Sequence, residues 1–245
     1  MERLIGGGKY KIIEVLTSDD SYEASLCINV MVNNDYAVYI VNTYKSKQLI
    51  RDFLPLYFRL SRENCSDFVD LITTEGKVCA VYEHHSGEEL VSFFSKHPRE
   101  AYEEKLMYAD ALLSSALELD IVDDRIAASA LDGNVVVDAN NRKIYFNYIV
   151  SPLSAETVEG NFRCCRLGEL LRAIFPFTRY LPAEIDEFVD RLSAGTYRSC
   201  VDIYSGWRAI QEEAEKTRKS YLKESWIKYL IRRAKRKKRR RKQQD

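Results

Sequence analysis

The sequence has no paired cysteine motif, no signal segment, no long apolar run and no internal repeat. Six cysteines are present: Cys27, Cys65, Cys79, Cys164, Cys165 and Cys200. None stands in a C-x-x-C or a Cys/His metal spacing, so the pattern offers no zinc or dithiol site. They read as core thiols of a reducing cytosol. The opening MERLIGGGKYKI has no apolar h-region and does not read as a signal peptide. No window approaches the roughly 18 apolar residues of a membrane span. The expectation is a soluble, intracellular chain.

Net charge is also lacking, because 37 Lys/Arg and 37 Asp/Glu cancel. The cancellation conceals a segregation. Eleven cations lie from Lys228 to Lys242, and Asp245 is the only acid beyond Lys228. Residues 1–227 therefore carry 26 basic against 36 acidic side chains, a net charge of −10. An acidic body with a basic tail predicts an anionic partner for the tail alone. The 245 residues, 46% of them hydrophobic, suffice for one large domain or two small ones with an ample core.

The first ninety residues read mainly as strands. YKIIEVL (10–16) and YEASLCINVMV (22–32) flank the polar turn TSDDS. Asn33-Asn34-Asp35 then turns the chain into YAVYIVNTY (36–44). A helix is expected from residue 47 to about 60, with Pro55 bending or ending it. DFVDLIT and KVCAVYEHH alternate around the turn Glu75-Gly76-Lys77. Three strands, a helix and two strands predict an antiparallel sheet with one helix against it. After Gly87 the apolar spacing becomes helical in EELVSFFSK and YEEKLMYADALLSSALEL. GNVVVDANNRKIYFNYIV reads as a hairpin within this helical region. Helical patterns return at FRCCRLGELLRAIF and AEIDEFVDRLSA. From Trp207 the chain can run as one helix to its basic end.

This order resembles that of a protein kinase, of the bacterial Ser/Thr type. The resemblance implies an α+β, two-lobed fold: an N-lobe antiparallel sheet with one helix (1–85), a helical C-lobe (86–212) and an amphipathic basic C-terminal helix (213–245). VYEHHSGEELVSFF resembles the hinge between lobes, with Glu83 to His85 at its centre. NVVVDANNRKIYFNYI resembles the stretch from the catalytic-loop Asn to the D-F-G motif. CRLGELLRAIF resembles the central buried helix, and TYRSCVDIY the Arg-containing segment before the last conserved helix.

Carried over position by position, the resemblance implies a degenerate catalytic apparatus, because phosphoryl transfer needs positioned phosphates, metal ions and a group that orients the nucleophile. The glycine-rich loop falls on residues 16–22, which hold no glycine and two acids, Asp19 and Asp20. Tyr39 takes the position of the V-A-I-K lysine, with Ala37 above the place of an adenine; Asp52 is the nearest counterpart of the helix glutamate. H-R-D falls on Ala127-Ala128-Ser129, so Ser129 stands for the general base and Leu131 for the following lysine. An alternative placement puts Asp123-Asp124-Arg125 there. Asn134 survives as a possible metal ligand. D-F-G falls on Asn147-Tyr148-Ile149, where an amide replaces the metal-binding carboxylate. The activation segment is largely deleted, and Arg163 replaces the Asp that begins the central helix. The expectation is a pseudokinase with no catalytic residue, no metal and no cofactor, whose vestigial cleft is marked by Ala37, Glu83 and His85.

In the tail, Tyr221, Leu222, Trp226, Tyr229 and Leu230 recur at helical spacing as an apolar stripe. The cations beside it are Arg232, Arg233, Lys235, Arg236, Lys237, Lys238, Arg239, Arg240, Arg241 and Lys242. A basic amphipathic helix with Trp and Tyr suits an anionic membrane surface. The expectation is a scaffold for a protein partner that no motif identifies, cytoplasmic and peripheral or juxtamembrane at the inner face of the plasma membrane. Alternatives are residual nucleotide binding or divergent phosphotransfer, nucleic-acid binding through the tail, and a nuclear-import signal.

Overall fold

The computed structural model describes residues 3–32, 37–74, 76–152, 161–178 and 180–244, with side chains through residue 235. The turn at Asn33-Asn34-Asp35, Tyr36, Glu75 and most of the shortened activation segment lie outside the described residues.

The N-terminal part is one antiparallel sheet in the order β1-β2-β3-β4-β6-β5. Its strands are β1 (Leu4–Ile5), β2 (Tyr10–Ser18), β3 (Tyr22–Asn29), β4 (Val38–Tyr44), β5 (Phe68–Thr74) and β6 (Lys77–Glu83). Strand β1 was not expected from sequence. It forms because Gly6, Gly7 and Gly8 all take positive φ (63°, 68° and 89°), where a side chain would be strained, and turn the chain back on itself. Helix α1 (Lys47–Tyr57) crosses one face; Ser46 caps it by accepting from the Leu49 N–H, and Pro55 lies inside it. Strand period decides what each face holds. Ile40 and Tyr44 of β4, with Ala80 and Tyr82 of β6, join Phe53, Leu56 and Tyr57 of α1 in the main core. Val41, Cys79 and Val81 point the other way, into a smaller cluster with Tyr10 and Cys27.

The C-terminal part is helical around a small sheet of β7 (Glu88–Glu89), β8 (Val135–Asp138) and β9 (Lys143–Phe146). Its helices are α2 (Leu90–Lys96), α3 (Tyr102–Ser115), α4 (Asp124–Leu131), α5 (Phe162–Ile174), α6 (Ala183–Ser193), α7 (Cys200–Leu222) and α8 (Trp226–Gln244). Two helices meet closely at Gly168 of α5, where any Cβ would come within 2.9 Å of the Ser193 backbone nitrogen. Trp207 of α7 is fully buried against Phe175 and Phe188. Asp120 starts α7 by accepting from the N–H groups of Cys200 and Val201, the capping role a carboxylate fills at a helix N-terminus. A single buried cluster runs from the sheet through α1 and Tyr148 into α3, α4 and α5.

The single helix expected from Trp207 onward is two helices. Helix α7 ends at Leu222, and α8 begins at Trp226. The break has a local cause: Ser225 accepts from the Lys228 N–H, and Glu224 is drawn to Arg232.

Candidate functional site

Two regions carry the sequence's functional positions: the junction between the lobes, and α8. At the junction, the segment Asn147–Val150 leaves β9 and passes beneath β4 and β6. The side chain that β4 turns toward it is Asn42. The Asn42 amide donates to the Tyr148 carbonyl (2.8 Å), and its Oδ1 accepts from the Val150 N–H (2.8 Å) and the Tyr22 hydroxyl (2.7 Å). Tyr39, which sequence placed at the lysine position, lies three residues away on the opposite face. Its ring packs edge-on against Tyr10 at 5.6 Å. An odd-numbered spacing on a strand changes the face, so Asn42 and Tyr39 cannot both look into the junction.

The hinge is bound from the other side. The His85 N–H donates to Asn147 Oδ1 (2.9 Å), and Asn147 Nδ2 donates to the His85 carbonyl (3.0 Å). Asn147 is itself fixed by its N–H, which donates to the Asn134 carbonyl at 2.8 Å. The His85 ring stacks on Tyr145 (4.1 Å between centroids), and its Nε2 is 3.0 Å from Asp67. Glu83 pairs with Arg62 at 3.4 Å. Ala37 is exposed just ahead of β4. Tyr148 is fully buried and stacks on Tyr82 at 4.8 Å, and burial pushes its hydroxyl pKa well above the usual value. Ile149 donates its N–H to the Asn147 carbonyl, and the Tyr44 hydroxyl donates to the Val150 carbonyl. Each residue from 147 to 150 thereby makes at least one hydrogen bond, and the Tyr148 ring joins the continuous buried cluster through Tyr82.

Ser129 and Leu131 stand on a helix and not on a loop. Both lie in α4 and are buried, Ser129 completely. The Ser129 carbonyl accepts from Asn134 Nδ2 at 2.6 Å, so the Asn134 amide nitrogen closes the end of α4. Asp123, of the alternative placement, caps α4 by accepting from the Arg125 N–H. Asp52 accepts from Gln48 within α1. Arg163 still ties α5 to the start of α4, with reversed polarity: it donates to the Val122 carbonyl and pairs with Asp124 at 2.6 Å. In the β2–β3 hairpin, Asp19 accepts from Ser21 and Tyr22 and closes a tight polar turn. Burial raises the thiol pKa of Cys27 to about 12 and of Cys65 to about 11. Among the described residues no three His, Cys, Asp or Glu side chains converge as metal ligands would.

Helix α8 differs from the expected stripe. Tyr221 and Tyr229 are half-buried and both turn to Arg232, whose guanidinium lies 3.5 Å over the Tyr221 ring and 5.6 Å from that of Tyr229, while the Tyr229 ring also packs on Trp226 at 5.1 Å. Arg232 also makes two hydrogen bonds to Glu224, at 2.6 and 3.3 Å. It is an internal strut and no free surface cation. The exposed apolar residues are Leu222 at the end of α7 and, on α8, Trp226 (57% exposed), Ile227 (70%), Leu230 (43%) and Ile231 (53%). Arg233 and Lys235 are exposed among them, while the side chains from Arg236 to Lys242 lie outside the described residues. The helical backbone continues to Gln244. Among the described residues no helix is long and apolar enough to cross a membrane.

No known sequence-family description matches the chain, and no curated protein matches it in sequence. Its fold, however, has solved counterparts. One is a crystal structure of Rad53, residues 1–466, in complex with AMP-PNP: the TM-score is 0.56 at 13% identity, over 82% of this chain and 66% of that one. At that identity the likeness establishes the fold alone. The chain has an α+β, two-lobed, kinase-like fold.

Proposed function

We propose that this kinase-like domain is a catalytically inactive interaction module held at the anionic cytoplasmic face of a membrane by α8. The observation that carries the membrane part is the surface of α8. Four large apolar side chains are exposed within six residues, beside Arg233 and Lys235 and ahead of seven further cations. Such a helix lies in the plane of a bilayer surface, apolar side down, with its cations among anionic headgroups. Each engaged Lys or Arg contributes about 1 kcal/mol, so a few suffice for reversible attachment. The body, at −10, is repelled by the same surface and stands away from it, leaving its faces open to a protein partner.

The inactive part rests on chemistry at the junction. Asn42 and Asn147 are neutral where phosphate and metal binding call for charge, and both amides are consumed by internal hydrogen bonds. Ser129 is buried away from any substrate.

Vesicle sedimentation tests the membrane reading. The full chain is expected to pellet with vesicles containing phosphatidylglycerol, not with phosphatidylcholine alone, and to dissociate at high salt. Replacing Trp226, Ile227 and Leu230 by Ser should weaken pelleting. Equal binding to neutral vesicles, or no binding to anionic ones, contradicts it. Retention on RNA or DNA with no vesicle binding favours the nucleic-acid alternative.

A further inference from the structure

We infer that the Asn147 carboxamide is a built-in occupant of the hinge, holding closed a hydrogen-bonding site that would otherwise read a ligand with adjacent donor and acceptor. A backbone residue that turns both its N–H and its C=O into a cleft presents one donor and one acceptor side by side. The complementary edge is an amide, or the edge of an aminopurine. Asn147 supplies that edge from within the chain: Oδ1 accepts from the His85 N–H at 2.9 Å, and Nδ2 donates to the His85 carbonyl at 3.0 Å. Asn147 is 7% exposed and His85 is half-buried, so solvent access to the contact is reduced.

The contact joins residues 62 positions apart, one from each lobe. Asn42 repeats the device on β4, where its carboxamide bonds the Tyr148 carbonyl and the Val150 N–H, 106 and 108 positions away. The Asn42 carboxamide thus ties the 147–150 segment to β4, the Asn147 carboxamide ties it to His85, and Tyr148 stacks on Tyr82. The lobes are joined by side-chain hydrogen bonds from these two carboxamides. The lock explains why an amide, and no carboxylate, stands at 147: a carboxylate can accept from the His85 N–H but cannot donate to its carbonyl, and would face that oxygen with a second one. This inference is independent of the membrane reading.

The test compares Asn147→Gly, Asn147→Asp and the parent chain by thermal unfolding and by amide hydrogen exchange at neutral pH. Both variants are expected to unfold roughly 4–8 °C lower. The His85 amide should exchange on the order of tenfold faster or more. Acetamide, a free carboxamide, should raise the midpoint of Asn147→Gly and slow His85 exchange, while leaving the parent and Asn147→Asp unmoved; adenine is tested in parallel. If Asn147→Asp does not fold, the glycine variant with and without acetamide decides the matter. Unchanged stability and unchanged His85 exchange in the glycine variant would overturn the lock. Loss of stability that neither acetamide nor adenine restores, with His85 exchange as slow as in the parent, would assign Asn147 to packing alone.

Discussion

Asn42 shows how one side chain can be mistaken for its neighbour and why the difference has consequences. It is fully buried and makes three hydrogen bonds. Asn42→Lys, which puts a lysine at the position β4 turns toward Asn147–Val150, should therefore destabilise the protein by about 3 kcal/mol or more, because it buries an unpaired charge where a satisfied amide stood. Urea unfolding with a lower midpoint and an unchanged slope is the expected result. Glu23 makes a pH argument at the same scale. Burial opposes its ionisation, but hydrogen bonds from Arg3 (2.6 Å) and Lys45 (3.1 Å) outweigh that, and its carboxyl lies below its ordinary 4.5. A depressed carboxylate contributes stability that is complete above the unfolded value and is lost as pH falls through the folded one. Glu23→Gln should thus be less stable than the parent at pH 7, with the gap closing below about pH 4; unfolding at a series of pH values measures it.

Among the elements, strands and helices were largely legible from hydrophobic period, and the resemblance ordered them into two lobes. What could not be read were contacts that depend on parity or distance. Tyr39 and Asn42 differ by an odd number of residues, so matching V-A-I-K from Ala37 put the wrong face of β4 into the junction. Asn147 was legible as a position, but its partner His85 is set by tertiary packing. The α7–α8 elbow escaped because no Pro or Gly marks it; Ser225, a good N-cap ahead of Trp226, was the available signal. The elbow has its own consequence. Arg232, clamped by Glu224 and lying on Tyr221, fixes how α8 leaves the body. Arg232→Ala should speed hydrogen exchange over residues 226–235 while leaving the main unfolding transition in place. An equal loss of stability throughout the body would show that α8 is part of the core.

As a whole molecule, the chain uses a two-lobed kinase-like fold. The buried cluster is continuous from sheet to helices, Tyr82 and Tyr148 stack at the junction, and an exposed apolar surface with adjoining cations lies on α8, at the opposite end of the charge distribution from the acidic body. On the reading proposed above, ligands engage α8 and not the junction. Hydrogen–deuterium exchange on the full chain, alone, with Mg·ATP and with phosphatidylglycerol-containing vesicles, tests it most directly. Mg·ATP is expected to change nothing at residues 83–85 or 147–150, and vesicles are expected to protect α8 alone. Protection of those two segments by Mg·ATP, with α8 unaffected by vesicles, would contradict it.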